Sequence, residues 1–168
     1  YEPYFNRTYK QFCSHGPAPF KLKCAEYPAM VMDENIVYLS HNLGKMYNEY
    51  GARIHREYFI QALKYLYKKP ILNIELPSTA RICLNNQKNK MRYVLHILYS
   101  SPIQRGNTQV IEDFPILNNI KASIIVENQV KSVKSITNKI EINFLQKENV
   151  IEFIIPKIRL PEMIEIDY

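Results

Sequence analysis

The feature that most constrains this chain is a succession of short β-type runs that fills its second half. Between Pro70 and Tyr168, runs rich in Ile, Val and Leu follow one another, and no helical period competes with them. Turn-forming pairs such as Asn85-Asn86 and Glu148-Asn149 separate the runs. The predicted strands are Ile71–Leu76, Ala80–Asn85, Arg92–Tyr99, Gln109–Phe114, Lys121–Val126, Val130–Ile136, Ile140–Leu145, Val150–Ile155 and Met163–Ile166. Short strands at this spacing are typical of an all-β antiparallel sandwich, which is the fold that we expect for this half.

The first half has a different pattern, which predicts an α+β arrangement. Two β-type runs, Ala29–Met32 and Ile36–Ser40, flank a polar turn of hairpin length. One amphipathic helix is predicted at Ala52–Tyr67, because apolar residues recur there at intervals of three and four. Such a helix needs a sheet or another helix to cover its apolar face.

The two patterns meet at Lys68-Lys69-Pro70, where basic residues close a helix and proline prevents its continuation. We therefore expect one region at residues 1–69 and a second at residues 70–168. The first region is too small to bury much apolar surface by itself. It also carries an aromatic cluster that would be exposed if nothing covered it. The cluster consists of Tyr1, Tyr4, Phe5, Tyr9 and Phe12. We expect this region to be the end of a larger domain, or to pack on a neighbour.

Composition excludes several classes of protein. The chain has 168 residues, of which 46% are hydrophobic and 23% charged, as in ordinary globular domains. The net charge is +6, but lysines are scattered singly among glutamates, so no nucleic-acid partner is predicted. No apolar run approaches the ~20 residues of a membrane-spanning helix, and no membrane partner is predicted.

The cysteines indicate a reducing compartment. Cys13, Cys24 and Cys83 are odd in number and irregularly spaced, which argues against a disulfide framework and a zinc site. We expect all three to be small buried hydrophobes in a cytoplasmic protein.

No constellation of residues predicts catalysis. None of the histidines has a metal-ligand spacing, and a structural role is expected for His55 and His96. Cys13-Ser14-His15 are adjacent in sequence, but a nucleophile and its base usually come from separate elements. No catalytic residue, metal site or cofactor is predicted.

Two carboxylate pairs are candidates for a glycosidase-type acid and base. Asp33-Glu34 falls in the predicted hairpin turn, and Glu112-Asp113 lies near a predicted strand end. Glycoside hydrolysis needs two carboxyl groups held rigidly at a fixed separation, so solvated turn residues are the better interpretation.

Tyrosine is the abundant aromatic residue, with 13 copies and no tryptophan. Aromatic faces stack on sugar rings, which suggests a carbohydrate-binding face. Tyr58 and Tyr65 fall on the predicted helix, however, and Tyr93 and Tyr99 on a predicted strand. Most tyrosines are therefore expected to be half-buried in a core or an interface.

Two segments of the first region carry a family resemblance. They are Pro3-Tyr4-Phe5-Asn6-Arg7-Thr8-Tyr9, continuing to Phe12-Cys13-Ser14-His15, and the run from Tyr47 to Glu57. Together with the hairpin, they resemble bacterial glycoside hydrolases of the β-galactosidase-like and α-L-fucosidase-like groups that carry a β-galactosidase-type trimerisation domain. The resemblance covers most of residues 1–69. The second region is similar only in layout, as a β-sandwich at the C-terminal end.

The resemblance implies an order of domains. In such proteins a TIM barrel comes first, a glutamine-amidotransferase-like domain of flavodoxin type follows, and a small β-domain ends the chain. Residues 1–69 would then be the tail of the flavodoxin-like domain, and the catalytic carboxylates would lie upstream of Tyr1. The resemblance thus implies a non-catalytic accessory and assembly region of a galactosidase- or fucosidase-like enzyme. Its partners would be the upstream barrel and a second copy of the protein.

Arg7 and His15 are the candidate site residues within this resemblance. Either side chain would reach toward the barrel, a ligand or a neighbouring subunit. A structural alternative for Arg7 is hydrogen bonding to carbonyl groups around Pro17-Ala18-Pro19. The alternative function for the whole chain is a stand-alone carbohydrate-binding or scaffold module, with tyrosines on the sandwich holding the glycan.

Overall fold

The computed structural model describes residues 26–168, and the chain divides into two compact units between Lys68 and Lys69. We call the unit that ends at Lys68 the helix unit, and Lys69–Tyr168 the sandwich unit. The candidate residues Arg7 and His15, and the cysteines Cys13 and Cys24, lie outside the described residues.

The helix unit contains a hairpin and two helices. Strand β1 (Met30–Asp33) pairs antiparallel with β2 (Ile36–Leu39), as the two β-type runs predict. Helix α1 (Leu43–Tyr50) and helix α2 (Arg53–Leu66) follow. The bounds of α2 agree with the helix predicted at Ala52–Tyr67, whereas α1 was not predicted.

Local capping interactions explain where α1 begins and ends. The side chain of Asn42 accepts a hydrogen bond from the Lys45 amide at 3.2 Å, which caps the N-terminal end. Gly51 ends the helix with a φ of 62°, and its amide donates to the Tyr47 carbonyl at 2.9 Å. Glycine adopts this left-handed conformation without the steric cost that a Cβ would bring.

These described elements do not identify a flavodoxin-like domain. That fold is built on a parallel sheet with helices on both faces, whereas the hairpin of the helix unit is antiparallel. The flavodoxin-like tail therefore remains a prediction.

The sandwich unit consists of antiparallel sheets, consistent with the predicted β-sandwich. One sheet has four strands in the order β11-β12-β8-β3, and the other has five in the order β10-β9-β13-β5-β4. Strands β6 and β7 form a separate hairpin. The strands are β3 (Leu72–Ile74), β4 (Arg81–Gln87), β5 (Arg92–Leu98), β6 (Ile103–Arg105), β7 (Thr108–Val110), β8 (Leu117–Ile125), β9 (Ser132–Ser135), β10 (Ile140–Glu141), β11 (Phe144–Lys147), β12 (Val150–Ile158) and β13 (Pro161–Asp167). A short 3₁₀ helix, Lys88–Lys90, connects β4 to β5.

Both large sheets contribute side chains to one hydrophobic core. Alternate residues of β5 and β13, such as Leu95 and Ile164, are fully buried and belong to the same cluster as Ile124 of β8 and Ile151 of β12. Alternation places every second side chain of a strand on the same face, so each sheet presents one apolar face. All members of this cluster belong to the sandwich unit.

The run predicted as one strand at Ile140–Leu145 forms two strands in different sheets. Ile140 and Glu141 pair with β9 in the five-stranded sheet, whereas β11 begins at Phe144 and pairs with β12 in the four-stranded sheet. The chain therefore crosses from one sheet to the other, with Ile142 buried on the way. The alternation of apolar residues persists through the crossing, and it carries no information about the sheet to which each residue belongs.

The ladder between β8 and β12 is interrupted at Pro156. The register pairs Ile155 with Ile120 and Lys157 with Asn118, so Pro156 faces Asn119, whose φ is 54°. Proline has no N–H to donate, so it weakens the ladder at this point. After the interruption, the pattern of buried residues shifts by one position. Strict alternation from Ile155 would bury Lys157, but Ile158 is buried instead.

Candidate functional site

The described histidines do not form a cluster with other metal ligands. His41 is exposed and lies 3.1 Å from the Ser40 hydroxyl through Nδ1. His55 is half-buried on α2, and its Nδ1 has no hydrogen-bond partner among the described residues. His96 is half-buried on β5. Among residues 26–168, no group of three or more His, Cys, Asp and Glu side chains could hold a metal ion.

The carboxylate pairs are exposed, as expected for solvated residues. Asp33 lies at the end of β1, and its Oδ1 accepts a hydrogen bond from the Glu34 amide at 2.8 Å. Glu112 forms an ion pair with Arg105, with the shorter N–O distance at 2.8 Å. These four carboxylates lie in two different units, and we assign no joint role to them.

Cys83 corrects the prediction for the cysteines. It is a free thiol on strand β4 and is exposed, not buried. The reason is the face from which it projects: Cys83 pairs with His96, whose neighbours Leu95 and Ile97 face the core, so Cys83 lies on the outer face of an edge strand.

The tyrosines of the sandwich unit do not provide a stacking surface. All three, Tyr93, Tyr99 and Tyr168, are buried. Tyr93 and Tyr168 pack against each other with ring centroids 5.1 Å apart, and the Tyr168 hydroxyl donates to Asn86 at 3.0 Å. The prediction that tyrosines are core residues is correct here, and the idea of a glycan held by tyrosines of the sandwich is wrong.

A buried carboxylate, Glu162, is the most unusual polar group in the sandwich core. It lies at the start of β13 with only 2% of its surface exposed. Its Oε1 accepts hydrogen bonds from the Ser135 hydroxyl at 2.8 Å and from the Met163 amide at 2.9 Å. Its Oε2 accepts a hydrogen bond from the Asn138 side chain.

The partners of Glu162 indicate a structural role. Asn138 also donates from its side chain to the Lys157 carbonyl at 3.2 Å, and from its backbone amide to Ser135 at 3.0 Å. The network therefore fastens the β9–β10 connection to the start of β13. Both carboxylate oxygens already accept bonds from protein donors, which offsets the cost of burying this group.

The helix unit presents an apolar surface that the described residues leave exposed. Phe59, Leu63 and Leu66 are spaced i, i+4 and i+7 on α2, so they lie on one face of the helix. Their exposed fractions are 48%, 48% and 44%. We call these three residues the α2 stripe.

Other large apolar side chains of the helix unit are also exposed. They include Val31, Met32, Ile36 and Tyr38 on the hairpin, Tyr47 and Tyr50 on α1, and Ile54 on α2. Single exposed apolar residues are normal, whereas several on one face of a helix are typical of an interaction surface. No described helix is long and apolar enough to cross a membrane.

Comparison with known proteins gives a detailed structural match. No protein-family model matches the chain, and no curated protein matches it in sequence. Among solved structures, the chain is similar to alpha-L-fucosidase isoenzyme 2 from Paenibacillus thiaminolyticus. The TM-score is 0.90 and the sequence identity is 30%, over 99% of this chain.

The match supports a relationship with glycoside hydrolases, and it is limited to part of that enzyme. This chain covers 26% of the fucosidase chain, so it spans about a quarter of its structural relative.

Proposed function

We propose that this chain is a non-catalytic accessory and assembly region of a glycoside hydrolase. The observation that carries the proposal is the similarity, over 99% of this chain, to only 26% of an alpha-L-fucosidase. A match to a quarter of an enzyme is what an accessory region of a larger enzyme would give. Because this structural relative is an alpha-L-fucosidase, we propose α-L-fucosides, rather than β-galactosides, as the substrates of the parent protein.

The surroundings of the described carboxylates favour an accessory role. Exposed carboxylates such as Asp33 and Glu112 are solvated or ion-paired. The buried carboxylate, Glu162, accepts hydrogen bonds from three protein donors. Glycoside hydrolysis requires two carboxyl groups that face each other across a bound sugar. We assign that pair to the part of the parent enzyme that precedes this region.

The α2 stripe supports docking of the helix unit. The exposed apolar side chains of this unit would be removed from water if they packed against another part of the same protein. Because about half of each stripe side chain is already covered, burial of the remainder would contribute roughly 0.7–1.5 kcal/mol per side chain, half of the value for a fully exposed one. In this proposal the helix unit is the end of an α/β domain, as the flavodoxin-like prediction states, and the stripe faces the catalytic barrel.

The proposal gives roles to the two N-terminal candidates as well. Arg7 and His15 would lie toward the barrel or a neighbouring subunit. A second copy of the protein is the other partner that the exposed apolar surface suits, and the assembly would then be a homo-oligomer. We place the protein in the cytoplasm.

Hydrolysis of chromogenic glycosides tests the catalytic part of the proposal. The purified chain is incubated with 4-nitrophenyl α-L-fucopyranoside and 4-nitrophenyl β-D-galactopyranoside. We expect no release of nitrophenol above the buffer rate. Turnover that co-purifies with the chain, and that is lost when a carboxylate of this chain is replaced, would show that the region carries its own active site.

A further inference from the structure

The outer face of the four-stranded sheet carries a cavity of about 790 Å³. One residue from each strand lines it at the same level of the sheet. Asn73 of β3 pairs with Ser123 of β8, Ser123 pairs with Glu152 of β12, and Glu152 pairs with Leu145 of β11. Because paired residues project from the same face, these four side chains form a continuous row across the sheet.

A second row adds further polar groups to the same cavity. Lys121 pairs with Ile154, and the Glu75 amide donates to the Lys121 carbonyl at 3.2 Å. Beyond them lie Asn119 and Pro156, where the ladder between β8 and β12 is interrupted. Glu141 lies at the end of β10, and Asn143 lies in the segment that crosses between the sheets.

The polar side chains around this cavity have no partners in the described part of the chain. None of them makes a side-chain hydrogen bond or ion pair with another described residue. They are Asn73, Glu75, Asn119, Lys121, Ser123, Glu141, Asn143 and Glu152. Their donors and acceptors are therefore available to a bound molecule.

The outer face of the five-stranded sheet shows that this availability is not general. There Arg92 binds both Gln87 and Glu165, and Asp167 accepts a hydrogen bond from Ser132 at 2.9 Å. Lys134 also lies 3.7 Å from the Asp167 carboxylate. These polar groups thus satisfy one another across the strands, whereas those around the cavity do not.

The charged groups and the exposed apolar surface of the cavity lining indicate which class of ligand it suits. Three carboxylates, from Glu75, Glu141 and Glu152, line the cavity together with one ammonium group, from Lys121. The cavity also has exposed aliphatic surface, because Leu145 is 66% exposed and Ile154 is 49% exposed. A molecule that suits this lining carries many hydroxyl groups, an apolar C–H face and no negative charge.

We propose that this cavity binds a neutral oligosaccharide. Carboxylate and carboxamide groups accept hydrogen bonds from sugar hydroxyls, while amides and Lys121 donate to them. The volume is within the ~300–1,000 Å³ of small-molecule sites. Excess carboxylate disfavours uronic acids and other acidic sugars. The inference stands on the cavity alone and is independent of the docking role of the helix unit.

Affinity is expected to be low, because the two aromatic residues of the lining, Phe144 and Phe153, belong to the hydrophobic core or pack against it and offer no exposed platform. Leu145 and Ile154 offer less contact area than a tyrosine or tryptophan ring. A dissociation constant in the millimolar range corresponds to about −4 kcal/mol of binding free energy. Such a site would gain effective affinity from a second contact on the same glycan.

Amide chemical-shift mapping of the full chain tests the proposal. Cellotriose, xylotriose and lactose serve as neutral probes at millimolar concentrations, and trigalacturonic acid serves as the acidic probe. We expect at least one neutral probe to shift the amide signals of Asn73, Ser123 and Glu152, and the acidic probe to leave them unchanged. N73A and E152A should each weaken binding of that probe at least fivefold.

Controls separate loss of the site from loss of the fold. Glu127 is an exposed carboxylate outside the cavity, so E127A should bind the probe like the parent chain. Dispersed amide spectra for all variants establish that they are folded. No response to any neutral probe would overturn the proposal, as would shifts insensitive to N73A and E152A. A response to spermidine but not to sugars would also overturn it, by showing a general cation site.

Discussion

At the scale of single residues, the chain depends on polar groups whose role appears only in three dimensions. Glu162 is one of many charged residues near the end of the sequence, yet it is buried with Ser135 in the sandwich core. Two donors come from the β9–β10 side of the fold and one from its own strand. Sequence spacing does not reveal this network, because its members lie 24 and 27 residues apart.

Glu162→Ala should lower the free energy of unfolding by about 2–3 kcal/mol. The substitution removes the carboxylate acceptor of the buried Ser135 hydroxyl and of the Met163 amide, and the exposed Asn138 side chain loses one partner. Glu162→Gln should cost less, about 1 kcal/mol, because its carbonyl oxygen can still accept from Ser135 and Met163. Urea-induced unfolding followed by circular dichroism measures both changes.

Glu152→Ala is the matched control for the Glu162 variants. Glu152 is exposed and has no side-chain partner among the described residues, so its removal should change stability by less than ~0.5 kcal/mol. If Glu162→Ala unfolds at the same urea concentration as Glu152→Ala, the network does not stabilise the fold.

Element by element, periodicity predicts the interior of a strand or helix better than its connections. Helix α2 and the hairpin were predicted within two residues, because apolar spacing and turn residues agree there. Helix α1 was missed because Gly44 and Gly51 look like helix breakers, although Gly51 serves as its C-cap. Strand β6 was not predicted, and the strand predicted at Gln109–Phe114 overlaps β7 only at Gln109 and Val110. Each of these strands has three residues, which are too few to show alternation.

The two glycines of α1 should respond to alanine in opposite directions. Gly51→Ala should destabilise α1 by about 1 kcal/mol, because its φ of 62° disfavours a side chain. Gly44 lies inside the helix, and a Cβ added there would meet nothing within 4 Å, so Gly44→Ala should stabilise α1 by up to ~1 kcal/mol. Amide hydrogen exchange of α1 reports both effects, and equal protection in the two variants would contradict this assignment of the cap.

The α2 stripe should make the chain bind apolar dyes. Replacement of Phe59, Leu63 and Leu66 by Gln should lower the fluorescence of bound anilinonaphthalene sulfonate at least twofold, since exposed apolar surface is what the dye binds. Helical circular dichroism should be unchanged, because glutamine is a good helix former. Ile54→Gln, on another face of α2, is the control. Equal dye binding by the parent chain and the triple variant would remove the stripe from the docking proposal.

At the scale of the whole molecule, the sandwich was predictable and its site was not. Regular strands and turns indicate the fold class, and the two sheets are consistent with it. The cavity, in contrast, is formed by Asn73, Ser123 and Glu152, which are isolated polar residues on three strands. Only the strand order and register bring them together. The candidates that came from the sequence, Arg7 and His15, lie outside the described residues and remain predictions.

The sandwich unit should fold without the helix unit. All members of its core cluster lie between Leu72 and Tyr168, so residues 69–168 retain every core contact of that cluster. A fragment of these residues should show a β-type circular dichroism spectrum and a single cooperative thermal transition. Absence of a cooperative transition would show that the helix unit is required for folding.

The intact mass of the native gene product tests the central proposal most directly. An antibody raised against this chain would isolate the protein from its own cells, and mass spectrometry would compare it with the 19.9 kDa of this chain. We predict a product several times larger that hydrolyses 4-nitrophenyl α-L-fucopyranoside. A native product close to 19.9 kDa would contradict the proposal, because no catalytic part would remain for this region to support.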